Sequence, residues 1–160
     1  MLALTALLHT HNDALRIARA VESLRPCDEI LVIDHASSDE TCRVARAFGA
    51  RVIAATEDAA RSYLYEARHD WILRMLPTES LSEGLEASLL EWKLWGDSPA
   101  IAGETALAVQ VLEETQDGWV THSPEARLGH RVRGIWVNGM PATAENTPAL
   151  AGHALRLQIP

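Results

Sequence analysis

The most informative polar side chain in the sequence is Asp34, which directly follows the apolar run Ile30–Ile33. Four aliphatic residues in a row, two of them β-branched, predict a short strand buried on both faces. The loop His35–Asp39 carries serine and aspartate side chains that can cap a helix beginning near Glu40. Open α/β sheets bind ligands where a buried parallel strand ends beside a helix N-terminus. The pattern indicates a nucleotide-type site in which Asp34 contacts the ligand, the alternative being a carboxylate that only caps the next helix or pairs with a nearby donor.

Two further polar residues, Thr10 and Asn12, come just after the first apolar run, Leu2–Leu8. The first and second strands of such sheets are usually neighbours around the point where the strand order reverses. We therefore expect Thr10 and Asn12 to line the same pocket as Asp34. Asn12 can also cap the helix that follows, and the two roles are compatible.

Three histidines, His9, His11 and His35, fall at the same two strand ends. Residues two apart on an extended segment point to one side, and neutral imidazole nitrogens beside a carboxylate suit zinc or another transition ion. No spacing motif supports such a site, however, and polar histidines at a strand edge are commonly solvated. The sequence therefore predicts no metal site, with these three histidines as the alternative.

The elements that must position these residues alternate regularly between strand and helix. The predicted strands cover residues 2–8, 30–33, 51–54 and 71–76. The predicted helices begin at 12 or 13, near 40 and at 57, and the last runs from Glu57 to Arg68, with Ala60, Tyr63, Leu64 and Ala67 spaced to face the sheet. Short connections in a β-α-β-α-β-α-β order are typical of a parallel sheet with crossover helices. After a turn at 77–80, we expect a helix that ends near Gly96.

Beyond Gly96 the sequence changes to short segments separated by glycine and proline, of which 105–112 fits a strand better than a helix. The predicted fold class is α/β, a Rossmann-like, mostly parallel sheet flanked by helices, with a small C-terminal antiparallel β appendage. We expect one domain over residues 1–160, made of a nucleotide-binding α/β half (1–96) and a β-rich C-terminal part (97–160).

Composition narrows the classes of partner. The chain has 160 residues and a net charge of −8, from 22 acidic and 14 basic side chains. Nucleic acids and anionic membranes require a dense basic face, so neither is expected as a partner. No window approaches ~18 uninterrupted apolar residues, so we expect no transmembrane segment. Two cysteines do not make a disulfide framework, and we expect a cytoplasmic protein.

Residues 2–82 resemble the family 2 glycosyltransferases, whose nucleotide-sugar-binding fold is of the GT-A type. The matching segments follow the order in that family and begin with its first strand and Thr-x-Asn-Glu turn. They are Leu4–Asp13, Asp28–Thr41, Gly49–Ile53, Ala60–Ser62 and Asp70–Leu73. The resemblance implies transfer of a sugar from a nucleoside diphosphate to an acceptor hydroxyl. It further implies that Thr10, Asn12 and Asp34 contact the nucleotide and that Arg61 faces its phosphates, the alternative for Arg61 being a solvated helix arginine.

The sequence departs from that family where the family carries an Asp-x-Asp pair that binds Mg²⁺ or Mn²⁺. Leu76 and Thr78 stand at the two aspartate positions, and Ala36 and Glu40 replace two glycines near the expected diphosphate. A leucine cannot ligate a cation, and a lone threonine hydroxyl is a poor substitute. Glu79, which remains, is a weak candidate for a catalytic base; the favoured alternative places it in the first turn of the following helix.

Two hypotheses therefore stand. The first is a family 2 type glycosyltransferase with altered or reduced metal handling, in which activity is reduced or lost. The second is a non-catalytic module that keeps the fold to bind a nucleotide or another protein. Trp92 and Trp95 form an aromatic stripe that fits either the core or the interface of a homodimer.

Overall fold

One continuous sheet contains nine of the strands in the part of the chain that the structure describes. The structure, a computed structural model, describes residues 1–58, 62–96, 98–99 and 102–158. The α-helices are α1 (Ile17–Ser23), α2 (Thr41–Ala47) and α3 (Glu83–Trp95). The strands are β1 (Leu4–Thr10), β2 (Glu29–Asp34), β3 (Arg51–Ala54), β4 (Trp71–Met75), β5 (Glu79–Leu81), β6 (Ala106–Thr115), β7 (Gly118–Thr121), β8 (Glu125–His130), β9 (Trp136–Val137), β10 (Met140–Pro141) and β11 (Ala149–Arg156).

The first four strands form the parallel part of the sheet, in the order β3-β2-β1-β4. In the register between β1 and β2, Thr10 lies beside Asp34 and His9 lies beside Ile33. Since side chains alternate along a strand, Thr10 and Asp34 share one face and His9 and Ile33 share the other. The chain order reverses at β1, which has β2 on one side and β4 on the other. Ligands of open α/β sheets bind at this kind of switch point.

Different elements pack on the two faces of the parallel part of the sheet. The helix face packs against α1, α2 and α3, and its core includes Leu8, Val32 and Leu73. Two successive crossovers in the same direction place α1 and α2 on one face because β-α-β units are right-handed. The cleft face is the opposite one, and the fully buried apolar side chains on it are Leu7, Leu31, Ile33 and Ile72.

The strands after α3 extend the same sheet. β8 pairs antiparallel with β4, β6 and β11 follow, and β5, which precedes α3 in the chain, pairs with β11 at the far edge. A small two-stranded antiparallel sheet, β9–β10, lies against β8, where a Cβ on Gly129 would come within 2.9 Å of Trp136. The predicted fold class, a mostly parallel α/β sheet flanked by helices with a small antiparallel part, is confirmed.

The predicted helix from Glu57 to Arg68 is wrong. Among the described residues of this range, only a 3-10 turn at Leu64–Glu66 is helical, and Tyr63 before it has the left-handed φ of 59°. A left-handed residue cannot continue a right-handed helix. Tyr63, Leu64 and Ala67 are nevertheless buried, packing on the cleft face as the apolar spacing predicted.

The helix that was predicted to follow the turn at 77–80 and to end near Gly96 is confirmed as α3, which begins after Ser82 and ends at Trp95. The Oγ of Ser82 accepts a hydrogen bond from the Leu85 backbone N–H, so Ser82 caps the helix. The residues before it are not only a turn, because β5 pairs antiparallel with β11. Trp92 is buried in the core, whereas Trp95 is 61% exposed. No helix in the described ranges is long and apolar enough to cross a bilayer.

Candidate functional site

A cleft of about 690 Å³ lies at the carboxyl ends of β1 and β2, on the cleft face of the sheet. The strands of the parallel part contribute polar side chains to it, and the two other sides come from the segment after β3 and from the β9–β10 turn. The lining residues are His9, His35, Arg74, Thr56–Asp58, Ser62–Leu64, Trp136, Asn138 and Gly139. Its volume falls in the range of small-molecule and cofactor sites.

A hydrogen-bonded pair of histidines lies in this cleft. The Nδ1 of His9 and the Nε2 of His35 are 2.7 Å apart, so one nitrogen donates its proton to the other. The Tyr63 ring meets the His9 ring edge to face at 5.6 Å. Burial lowers the pKa of His9 to about 4, and Arg74 and His35 act in the same direction. His9 is therefore neutral at pH 7, and the pair offers polar groups without adding a fixed charge at His9.

Arg74, in the middle of β4, brings a buried positive charge to the cleft. Its residue is only 7% exposed, and its Nη1 donates to the Leu7 carbonyl at 3.3 Å. Its Nε has no hydrogen-bond partner among the described residues. Burial lowers the pKa of Arg74 to about 10, with Arg127 acting in the same direction and Glu79 against it. The sequence analysis missed this residue, although an arginine inside the apolar run Trp71–Met75 was a signal that could have identified it.

Thr10, Asn12 and Asp34 come together as expected, but they do not line the cleft. Asn12 joins the loop after β1 to the loop after β2, and the Thr10 backbone carbonyl accepts from the His35 N–H at 2.9 Å. The Asn12 backbone N–H donates to the Ser37 Oγ at 2.9 Å, and the Asn12 Oδ1 accepts from the Ser38 N–H at 2.8 Å. The Asp34 Oδ2 accepts from the Ser37 N–H at 3.2 Å.

The pocket-facing positions of these two loops are one residue away from those predicted. Thr10 and Asp34 share the helix face, whereas His9 and His35 line the cleft. Thr10 donates from its Oγ1 to the Asp13 Oδ2 at 2.7 Å. Burial raises the pKa of Asp34, but hydrogen bonds from Ser37 and Cys42 outweigh it and the net shift is downward. The nucleotide contacts of Thr10, Asn12 and Asp34 stay a prediction. Arg61 lies outside the described residues.

Glu79 forms a buried ion-pair network instead of lining the cleft. Its two carboxylate oxygens accept from Arg127 at 2.9 and 3.0 Å, and its Oε1 also accepts from the Arg156 Nη2 at 2.9 Å. Burial raises its pKa, but Arg127, with further hydrogen bonds, lowers it more. A carboxylate enclosed in this way cannot reach an acceptor hydroxyl, so its position argues against the catalytic role that the sequence suggested. It lies in β5, not in the first turn of α3.

The three histidines of the alternative metal site do not converge. The Nδ1 of His11 lies 2.6 Å from the His35 carbonyl oxygen, which directs His11 toward the backbone and away from the His9–His35 pair. In the ranges that the structure describes, no three histidine, cysteine or acidic side chains are arranged to hold a metal ion.

Leu76 and Thr78, where the sequence resemblance places two aspartates, do not fit a divalent cation. Leu76 offers no side-chain ligand and is 38% exposed just after β4. Thr78 offers one neutral hydroxyl, whereas Mg²⁺ is usually held by carboxylates and phosphates. The carboxylate that follows, Glu79, is committed to Arg127 and Arg156.

Comparison with known proteins relates this chain to glycosyltransferases. An uncharacterized glycosyltransferase of Rickettsia felis is 35% identical over 91 residues, 52% of this chain and 31% of that protein. One of Rickettsia prowazekii is 32% identical over 94 residues, 54% of this chain and 31% of that protein. The matched part thus spans about a third of the length of these relatives. No protein-family model matches the chain.

The fold is similar to that of solved glycosyltransferase structures. The crystal structure of S. aureus TarS superposes with a TM-score of 0.51 at 14% identity, over 72% of this chain and 22% of that chain. The shorter structure of TarS 1–349 gives the same TM-score and covers 36% of that chain. The chain thus has a Rossmann-like fold of the GT-A type, and it is a glycosyltransferase-like protein whose sequence is related to that of curated glycosyltransferases.

Proposed function

We propose that this chain binds a nucleoside diphosphate sugar in the cleft and takes part in transfer of its sugar to an acceptor hydroxyl, as a glycosyltransferase of family 2 type. The observation that carries the proposal is the location of the cleft. In a glycosyltransferase-type fold, a polar cavity of about 690 Å³ lies at the carboxyl ends of the parallel strands, beside the reversal of strand order. Curated relatives that are named glycosyltransferases support the reaction class.

The loops after β1 and β2 have a defined part in this function. Asn12 and the backbone carbonyl of Thr10 join the two loops, and Asp34 orders the second loop by accepting from Ser37. Together these bonds support the positions of His9 and His35 at the cleft. Side chains locked by hydrogen bonds present a ligand with a preformed surface. A ligand that contacts His9 and His35 therefore depends on Thr10, Asn12 and Asp34 whether or not it touches them.

A second candidate function is nucleotide binding without sugar transfer. Two features favour it: leucine and threonine stand at positions 76 and 78, where the resemblance places metal-binding aspartates, and arginines enclose Glu79. A carboxylate-held cation neutralises the departing diphosphate in metal-dependent transferases. The two functions agree on nucleotide binding and differ only in turnover.

Thermal-shift measurements with UDP, GDP, TDP and ADP, each with Mn²⁺ and with EDTA, test nucleotide binding, which both candidate functions require. Ligand at a hundred times its Kd stabilises the native state by about 2.7 kcal/mol, so one nucleotide should raise the Tm selectively. Absence of any shift at millimolar nucleotide would refute both candidates. Release of nucleoside diphosphate from a nucleotide sugar, measured by mass spectrometry and lost in Asp34→Ala, would select the enzyme over the module.

Restoring aspartates at positions 76 and 78 tests how the site differs from a metal-dependent one. The double variant Leu76→Asp, Thr78→Asp should bind nucleotide more tightly with Mn²⁺ than with EDTA, since carboxylates then hold the cation against the diphosphate. The control is Thr78→Asn, which adds no charge. Equal affinity with and without Mn²⁺ in the double variant would show that these positions do not face the ligand.

A further inference from the structure

We propose that Arg74 is an anion-binding residue that holds a phosphate-class group of the ligand directly, by charge-assisted hydrogen bonds and without a metal ion. This inference deepens the proposed function and rests on it for the identity of the ligand, a nucleoside diphosphate. The carrying observation is a buried guanidinium at the cleft whose hydrogen-bonding capacity is only partly used by the described residues.

The guanidinium of Arg74 is poorly satisfied in the described part of the chain. Its residue is 93% buried, and its Nε donates to nothing. The bond from its Nη1 to the Leu7 carbonyl is long, at 3.3 Å. Buried polar groups are almost always hydrogen-bonded, and buried cations are almost always paired. A guanidinium with unused donors beside a cavity therefore calls for an anionic partner that enters the cavity.

The nearby carboxylate does not serve as that partner. Glu79 forms ion pairs with Arg127 at 2.9 Å and with Arg156 at 2.9 Å, and none with Arg74. Arg127 in turn lowers the pKa of Arg74 by repulsion, and Glu79 only partly offsets this. Two arginines thus share one buried carboxylate, and Arg74 is a third positive charge without an ion pair among the described residues.

The other groups at the cleft fit an anion that lies deep in it. The His9–His35 pair supplies polar hydrogen-bonding groups, and Ser62 adds a hydroxyl. Two carboxylates, Glu57 and Asp58, also border the cleft, and both residues are exposed. Solvent screens exposed charges far more than buried ones, so the buried guanidinium determines the potential at the inner end. A guanidinium fork also matches the geometry of phosphate oxygens.

Isothermal titration with inorganic pyrophosphate in EDTA, alongside the nucleoside diphosphate from the thermal-shift panel, tests the inference. Wild type should bind pyrophosphate without metal, and Arg74→Gln should weaken binding about 10- to 100-fold. Arg74→Lys, which keeps the charge but not the fork, should fall between them. The matched control is Arg25→Gln, because Arg25 is an exposed arginine after α1 whose side chain is 76% exposed. That control should bind as wild type does.

The outcomes separate this inference from the proposed function. Pyrophosphate binding that is unchanged in Arg74→Gln, in a protein whose circular dichroism shows it folded, refutes the role of Arg74. Nucleotide binding that needs Mn²⁺ and is indifferent to Arg74 also refutes it and leaves the proposed function standing. Pyrophosphate binding that depends on Arg74, with no nucleotide bound, supports the anion site and refutes the nucleotide-sugar function. If Arg74→Gln does not fold, the test rests on Arg74→Lys. Wild-type affinity of Arg74→Lys for both pyrophosphate and the nucleotide would contradict recognition by the guanidinium fork.

Discussion

Replacing Arg74 by methionine should make the ligand-free protein more stable. A buried cation without an ion-pair partner destabilises the folded state, and methionine fills a similar volume with apolar atoms. Burial and Arg127 lower the pKa of Arg74 to about 10, well below the usual range of a guanidinium. At about 1.4 kcal/mol for each pKa unit, this corresponds to about 3 kcal/mol as an upper value for the cost of the charge.

The net gain is smaller because the substitution also removes a hydrogen bond. The bond from the Arg74 Nη1 to the Leu7 carbonyl, at 3.3 Å, contributes about 1 kcal/mol. We therefore expect Arg74→Met to raise the free energy of unfolding by about 2 kcal/mol and the Tm by about 4–8 °C. Urea unfolding at pH 7, followed by tryptophan fluorescence and circular dichroism, measures the change.

The control for this prediction is Arg25→Met, which removes an exposed positive charge and should change the free energy of unfolding by less than about 0.5 kcal/mol. A loss of more than about 1 kcal/mol in Arg74→Met would refute the reasoning. It would mean that the guanidinium is satisfied inside the folded protein, so that no anion is needed to complete it. Stabilisation together with loss of pyrophosphate binding is the combination expected of a residue kept for binding.

Four other substitutions, the last of them a control for the third, give measurable outcomes. Glu79→Gln should lower the free energy of unfolding by up to about 3–5 kcal/mol in urea, since it removes the fully buried carboxylate that pairs with Arg127 and leaves Arg127 the more exposed Glu125; a loss under about 1 kcal/mol would contradict the network. The free energy of unfolding of the wild type should fall as the pH drops from 6.5 toward 4, because unfolded His9 takes up a proton in that window and folded His9 does not. His9→Gln should reduce this fall, and parallel pH profiles for the variant and the wild type would exclude this explanation. Gly152→Ala should prevent stable folding, since φ is +86° and the new Cβ would lie 2.1 Å from the Leu85 nitrogen. In Gly139→Ala, φ is +75° but the new Cβ would have nothing within 4 Å, so the free energy of unfolding should fall by only about 1 kcal/mol, measured by circular dichroism melting. Similar losses of stability in both glycine variants would be inconsistent with the contact between the Gly152 Cβ and Leu85.

The parallel half of the fold was predictable because its signals are local. Apolar runs, capping residues and short connections repeat along the first 76 residues, and each can be identified without knowing its neighbours. The missed 3-10 turn had no such signal, since Tyr63 adopts a left-handed conformation that its residue type disfavours. The apolar spacing still identified Tyr63 and Leu64 as buried residues.

The residues that line the candidate cleft were predictable to within one position along each strand, and the alternation of side chains between the two faces of the sheet explains the difference. Thr10 and Asp34 were preferred for their chemistry, but which face carries a cavity depends on what covers each face. The helices cover one face, and the chain after β3 leaves the other open beside His9 and His35. That difference arises from packing and not from any pattern in the two loops.

The role of Glu79 could not be inferred for a different reason. Its partners, Arg127 and Arg156, are 48 and 77 residues farther along the chain. Ion pairs at such separations leave no periodic trace in a single sequence. The sequence therefore offered Glu79 only as a weak catalytic candidate, with the first turn of the next helix as the favoured alternative, whereas the folded chain uses it to hold three strands together.

The pairing of β5 with β11 also determines when the protein can finish folding during its synthesis. Arg156 in β11 lies opposite Glu79 in β5, so the ribosome must add nearly eighty residues before β5 gains its partner. At about 5–20 residues per second, that delay lasts roughly 4–15 s. Arg127 and β8 follow Glu79 by 48 residues, and until they are made β1 to β4 can already pair, but the Glu79 carboxylate has neither arginine and the edge of β4 has no β8. The nascent chain therefore exposes an unpaired strand beside a polar cluster, which makes this stage the one at which chaperones would have most effect.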